Sequence, residues 1–349
     1  MATDSPELHW HIPDQPPFHL AGFAWYARDH RYRRLPANPP QPLPQAVDAL
    51  ANCTAGGQIA FQTDSPRVAV RVELTGKADM DHMPSTGQCG VDCYVGPAGR
   101  QRFFGITRYD FRNANAYECV LLDLPGREMR NVTLNMPLYM GVEQIQVGLA
   151  PGCTILPPQP FSIDQPMVFY GTSITQGGCA ARPGMACTNV LSRRLNVEAV
   201  NLGFSGNGKG EPEVARAIAT IGAAACFVLD YAPNTNGPEH LAETFPTFVR
   251  ILREKHPGVP IVALSRIRFS HDVLEPGWEA HRTGFEDVLR KAVAEMQKGG
   301  DRLISFHSMA DALGDDFDEC TVDGVHPTDL GFRRMANDLE PVLRRILFR

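Results

Sequence analysis

Two architectures follow one another in this chain. A β-sandwich is predicted over residues 1–160, and a three-layer α/β/α unit with a five-stranded parallel sheet over residues 161–349. Three observations predict this order. From Met167 onward, short apolar runs alternate with segments of helical apolar spacing. Before Met167 the runs are short, β-like and separated by Pro and Gly. Between them lie Pro151, Pro157, Pro158, Pro160 and Pro166. Prolines at that density forbid helix and favour an extended linker.

In the first half the strand candidates are 57–62, 68–74, 90–95, 118–124, 132–135 and 142–147. The stretch RVAVRVEL alternates polar and apolar residues, the mark of a strand with one wet face. Several such strands with turn residues between them indicate a sandwich. The proline-rich stretch from Pro36 to Pro44 is expected to run extended over the surface.

In the second half the strand candidates are 167–170, 197–202, 225–230, 260–264 and 303–306. Helices are expected at 185–195, 211–222, 239–255, 279–297 and 327–347. Ala215, Ile218, Ala219 and Gly222, then Leu241, Phe245, Phe248, Val249 and Leu252, hold helical spacing. Strands each followed by a helix give a flavodoxin-like sandwich with right-handed crossovers.

Composition narrows the function. The chain is 43% hydrophobic and 21% charged with a net charge of −6, as for an ordinary globular protein. No Lys/Arg cluster offers a nucleic-acid surface, and no apolar run approaches a membrane span. The opening residues show neither a basic region nor an apolar one of signal-peptide kind. The nine cysteines are scattered without C-x-x-C pairs, as expected of reduced thiols in a cytoplasmic protein. Neither a metal nor a cofactor is signalled, and His9 and His11 read as surface histidines. The oligomeric state is left open.

The chemistry-bearing residues fall where strands end. Ser173 lies on the turn leaving the first parallel strand, in MVFYGTSITQGG. A hydroxyl there stands at the carboxyl edge of the sheet, where open α/β folds place ligands. The alternative is a turn serine that caps a helix. After the second strand comes NLGFSGNGKG, where Gly206 offers a backbone N–H to an oxyanion. A P-loop through Gly203, Gly208 and Lys209 competes, but position 210 is Gly and lacks the hydroxyl that binds magnesium. Asn234 follows the third strand and can turn a side-chain N–H to the same oxyanion. Near the end, Asp323 and His326 in TVDGVHP can align a carboxylate, an imidazole and Ser173, with Pro327 in the first turn of the last helix. Arg182, Arg266 and Arg268 are candidate contacts for an anionic or sugar substrate, with solvated loop arginines as the alternative. Together the three strand-end features and the Asp-x-x-His before the last helix favour nucleophilic acyl chemistry over nucleotide binding.

With those residues assembled, the second half resembles the SGNH, or GDSL-type, hydrolase superfamily. Its four blocks match Ser173, Gly206, Asn234 and His326, with Asp323 as triad partner. NLGFSGNG and DGVHPTDLGF are close to its usual wording, whereas block one reads Gly-Thr-Ser and block three reads DYAPN. These variants, with Arg182-Pro183-Gly184-Met185, resemble a bacterial subgroup with an N-terminal, jelly-roll-like sandwich marked by Gly-x-Asp-Leu-Tyr. Gly90-Val91-Asp92-Cys93-Tyr94 matches that mark except at Cys93. The resemblance implies a serine esterase with an oxyanion hole from Ser173, Gly206 and Asn234, and a sandwich like carbohydrate-binding modules. Short-chain esters or acylated carbohydrates are the expected substrates. An acyltransferase with the same triad is the alternative, and a non-catalytic carbohydrate- or nucleotide-binding protein the other.

Overall fold

The computed structural model describes residues 7–348. The first half holds two antiparallel sheets. One runs His9–His11, Val142–Leu149, Arg67–Leu74, Ala116–Asp123 across its width. The other runs Ile155–Leu156, Gln58–Thr63, Arg130–Asn135, Asp92–Val95, Arg102–Ile106, with His19–Ala21 also paired to Gln58–Thr63. Their facing apolar residues, including Ile59, Phe61, Val70, Val72, Val91, Leu121, Val132, Leu134 and Val147, form one core. The alternation in RVAVRVEL is reproduced, with Val70, Val72 and Leu74 inward and Arg71 and Glu73 in solvent. The Pro36–Pro44 stretch is a series of bends, mostly at the surface, and Pro36 itself is buried.

In the second half all five strands are parallel, in the order Ala199–Gly203, Met167–Gly171, Cys226–Asp230, Ile261–Leu264, Ile304–His307. The strand Met167–Gly171 is buried along its whole length because helices cover both faces. Val168 and Tyr170 face the layer of Pro212–Ile218, Pro238–Lys255 and Trp278–Lys298. Met167 and Phe169 face Cys187–Leu195 and Asp329–Leu347. The chain reverses direction across the sheet at Met167–Gly171, so a crevice opens where that strand and its two neighbours end.

One segment of the first half packs into the second. Trp25, Leu35, Val47 and Ala51 join the core that contains Tyr170 and Phe204. Arg34, fully buried, donates from Nε to the Cys53 carbonyl at 2.8 Å and from Nη2 to the Leu50 carbonyl at 2.7 Å. Its Nη1 reaches the carbonyls of Asn201 and Gly203. This guanidinium thus braces the end of the strand that leads to Gly206, and desolvation lowers its pKa to about 10.

Candidate active site

The strand Met167–Gly171 turns sharply at Gly171. A β-carbon there would meet Thr175 Oγ1 at 2.1 Å and the Asp230 carbonyl at 2.6 Å, so only glycine fits. Thr172 caps the short helix Ser173–Gln176: its hydroxyl accepts from the Ile174 N–H, and Thr175 Oγ1 accepts from the Thr172 N–H. This reciprocal cap fixes Ser173 in the first helical position with 8% of its surface exposed.

Ser173 Oγ lies 2.8 Å from His326 Nε2, and His326 Nδ1 lies 2.7 Å from Asp323 Oδ2. Asp323 Oδ1 accepts the backbone N–H of His326 at 2.7 Å and of Val325 at 3.0 Å. Partial burial pushes the Asp323 carboxyl up, but these N–H donors and the His326 ring outweigh burial and hold its pKa below the usual carboxylate value. The loop is closed by a bridge between Thr321 and Pro327 and by the Val322 N–H on the His326 carbonyl. The last helix starts at Asp329 with Thr328 as its cap, so Pro327 is in the bridge and not in the first helical turn.

The neighbouring strands contribute the loops predicted from sequence. Gly206 adopts a left-handed φ of 64°, which favours glycine. The Ser205 N–H donates to Gln176 Oε1 at 3.0 Å, tying this loop to the Ser173 turn. The Asn234 amide differs from expectation. Its Nδ2 donates to the Asn207 carbonyl and, at 3.3 Å, to the Phe204 carbonyl, so it clasps the Gly206 loop and is not a free donor. Physically, a side-chain amide held against loop carbonyls donates to them first, here to Asn207 and, as a second donor beside the Asn207 N–H, to Phe204.

A family model described as GDSL-like lipase/acylhydrolase matches residues 164–344. A second, for the N-terminus of SGNH-hydrolase-type esterases, matches residues 8–155. The chain belongs to the GDSL-like lipase/acylhydrolase family. It is an ester-bond hydrolase. A solved structure described as a GDSL-like lipase from Bacteroides ovatus ATCC 8483 is 30% identical, with 98% of each chain covered and a TM-score of 0.89. The fold is shared with the salicylyl-acyltransferase SsfX3 of a tetracycline biosynthetic pathway, at 22% identity, 98% and 99% coverage and a TM-score of 0.78. A family two carbohydrate esterase from Cellvibrio japonicus has the same fold at 15% identity, 98% coverage of each chain and a TM-score of 0.63. A search of curated proteins gives no match.

The three arginines of this GDSL-like hydrolase have three different settings. Arg266 is 2% exposed, and its Nη1 and Nη2 meet Asp272 at 2.8 and 2.6 Å. It also stacks on Phe269 and is neither a substrate contact nor solvated, because its fork is filled by an internal carboxylate. Arg268 is half-buried, 3.5 Å from Asp311. Arg182 bridges the domains: its guanidinium covers the Phe103 ring at 4.0 Å and approaches Asp92 at 3.8 Å and Asp329 at 3.5 Å. The expectation that Arg182 reaches a substrate therefore gives way to a docking contact.

That contact explains the Gly-x-Asp-Cys-Tyr stretch. Asp92 Oδ2 accepts the Gly184 N–H at 2.7 Å, Oδ1 accepts Asn135 Nδ2 at 2.7 Å, and Tyr94 lies beneath Arg193. Burial raises the Asp92 carboxyl to about 6, opposed by the Asn135 and Gly184 donors and by Arg182 and Arg193. The sandwich also reaches Ser173. Tyr139 Oη donates to the Ser173 carbonyl at 3.1 Å, and the His82 ring sits 5.5 Å from that of His326. Cys179, buried beside them, has its thiol pushed up to about 12 by burial and by Asp323, so it is no rival thiolate. Sequence reasoning missed His82, Tyr139 and Arg34. None lies at a strand end or in a spaced motif, and only the folded chain brings them to Ser173 and Gly206. A cleft of about 460 Å³, lined by Gln58, Tyr94, Asn131, Arg193 and Glu198 among others, lies between the domains. It adjoins the start of the Ala199–Gly203 strand, at the edge of the sheet opposite Ser173.

Proposed function

We propose that this hydrolase removes short acyl groups from alcohols, acylated carbohydrates being the substrate class, through an acyl-enzyme on Ser173. The observation that carries the reading is the unbroken line from Ser173 Oγ through His326 to Asp323. Ser173 Oγ attacks the ester carbonyl carbon while its proton passes to His326 Nε2. Asp323 fixes the His326 tautomer and offsets the charge of the imidazolium. The tetrahedral intermediate collapses, the ester C–O bond breaks, and His326 returns the proton to the departing alcohol. Water then repeats the sequence on the acyl-enzyme, releasing the acid and restoring Ser173.

The oxyanion is met by the N–H groups of Ser173 and Gly206. Asn234 adds a third donor when the oxyanion displaces the Phe204 carbonyl, whose 3.3 Å bond is long and weak. Each such donor lowers the barrier by about 3–4 kcal/mol. The short-acyl preference is supported by the enclosure of Ser173, with Tyr139 and Cys179 beside it. The carbohydrate assignment draws support from the shared fold of the carbohydrate esterase. The fold shared with an acyltransferase supports a second reading, transfer of the same acyl group to an alcohol.

The test is a screen of aryl esters of increasing acyl length and of acetylated sugars, with and without acceptor alcohols, on wild type and Ser173→Ala. Wild type is expected to favour acetyl and propionyl esters, release acid and deacetylate sugars, and Ser173→Ala to be inert. Full activity in Ser173→Ala would refute the acyl-enzyme. A preference for long-chain lipid esters would refute the substrate class, and acyl transfer exceeding hydrolysis would favour the second reading.

A further inference from the structure

Among the described residues, one trio of potential ligand side chains converges: His82, Cys179 and His326 each place a ligand atom within 4.8 Å of the other two. The donor set of two imidazoles and a thiol suits zinc and similar borderline-soft cations and is a poor match for magnesium or calcium. What surrounds the trio points the same way. His326 Nδ1 is paired with Asp323 Oδ2 at 2.7 Å, and His82 Nδ1 with Asp81 Oδ1 at 3.1 Å. A carboxylate behind each imidazole is the arrangement found around metal-ligating histidines, where it fixes the tautomer and raises ligand basicity. Nε2 is thereby left as the ligand atom of each ring, and that of His326 is shared with Ser173 Oγ at 2.8 Å, so a bound ion competes with this hydrogen bond.

Cys179 adds an independent observation. It holds a left-handed φ of 73°, a conformation unfavourable for an ordinary side chain, directly after Gly177 and Gly178. A thiol kept in a strained backbone position beside the nucleophile is the kind of outlier that accompanies function. Its burial next to Ser173 places the sulfur on the enclosed side of the cluster, and half-exposed His82 supplies the side open to solvent.

We propose that His82, Cys179 and His326 bind a divalent cation of the zinc class, and that the bound ion switches the esterase off reversibly. The proposal rests on the reading that His326 is the general base of the reaction. Tetrahedral zinc holds its ligand atoms about 3.5 Å apart. The ligand atoms, all within 4.8 Å of one another, therefore draw together on binding. On binding, the Cys179 thiol loses its proton to solvent and forms a metal–sulfur bond. His326 Nε2 gives the metal the lone pair that would otherwise take the Ser173 proton. Water or Ser173 Oγ fills the fourth position. Because His82 belongs to the sandwich and the other two ligands to the parallel-sheet domain, the ion also ties the two domains together over the nucleophile.

Two readouts on the full-length protein test the proposal. In the first, the rate of 4-nitrophenyl acetate hydrolysis is followed against added zinc chloride in a non-chelating buffer, each variant normalised to its own metal-free rate. Wild type is expected to lose activity and recover it with EDTA. His82→Gln and Cys179→Ser should each raise the half-inhibitory zinc concentration by at least about tenfold. In the second, cobalt(II) is titrated into Ser173→Ala, which keeps all three ligands. A thiolate-to-cobalt charge-transfer band is expected, and adding Cys179→Ser should abolish it. Absence of the band in Ser173→Ala, or zinc inhibition unchanged in both ligand variants, would overturn the proposal. The cobalt signal needs no turnover, so it survives if the acyl-enzyme reading fails and disappears if the metal site fails.

Discussion

Asp323 and Asp230 occupy the same edge of the parallel sheet, and their surroundings drive them in opposite directions. Asp323 is on a loop closed by the Thr321–Pro327 bridge and accepts three hydrogen bonds from N–H groups, two from the backbone and one from the His326 ring. Those donors outweigh the penalty of partial burial and keep the carboxyl charged. Asp230 ends the strand next to Met167–Gly171 and receives one hydroxyl, from Thr175 at 2.8 Å. Part of the residue reaches the surface, yet dense protein around the carboxyl raises its pKa to about 7, with the Thr175 bond opposing the rise. The contrast teaches that depth and donor count together decide which carboxylate is poised to support an imidazolium, Asp323 being both less deeply buried and better supplied with donors. Asp323 is built to carry charge, whereas Asp230 positions Thr175 and through it the Ser173 turn.

The comparison breaks most severely at Asp323. Asp323→Asn leaves the loop bonds largely possible but removes the charge and favours the wrong His326 tautomer, so kcat should fall by about 10⁴-fold with little change in Tm. A fall of less than tenfold would mean that Asp323 has no special role. Next in size is Asn234→Ala, which takes the side-chain donor from the Asn207 and Phe204 carbonyls and from the oxyanion. Its kcat should drop about 10²–10³-fold, read in steady-state kinetics on an aryl acetate.

Asp92 extends the comparison to a carboxylate with two donors but complete burial. Asp92→Ala strands Arg182 and the Gly184 N–H at the domain junction, and denaturant unfolding should register a loss of about 3 kcal/mol. Substitution without loss would show that Asp92 does not hold the junction. The smallest effect is expected at Asp230. Because its folded-state pKa is raised, the protonated carboxyl favours the fold. That contribution is complete below the ordinary Asp value of 3.8 and is lost as pH climbs through about 7. Asp230→Asn cannot ionise, so its Tm should vary less than that of wild type between about pH 5 and about pH 8. Parallel Tm curves for the two proteins would remove Asp230 from the account.

Much of the parallel-sheet half was legible because its strands are buried on both faces and therefore read as apolar runs such as MVFY and FVLD. The positions of Ser173, Gly206 and Asn234 were legible for the same reason, since each follows an apolar strand, whereas Asp323 and His326 were legible from their spacing before the last helix. The sandwich was less so. The short edge strands His9–His11, His19–Ala21 and Arg102–Ile106 make only a few pairings and leave no alternation long enough to see. Arg34 was invisible because nothing local requires an arginine there. Its partners are carbonyls that become available only when Asn201 and Gly203 arrive from the other half. Arg266 misled for a related reason, since its proximity to a strand end suggested a ligand and the carboxylate that occupies it lies at Asp272.

The account stands on Ser173 being the atom that bonds to the acyl group. Labelling with a fluorophosphonate probe, followed by peptide mapping, tests this most directly. The expected result is a single adduct on Ser173 in wild type, abolished in Ser173→Ala and strongly slowed in Asp323→Asn. An adduct on another residue, or undiminished labelling of Ser173→Ala, would contradict it.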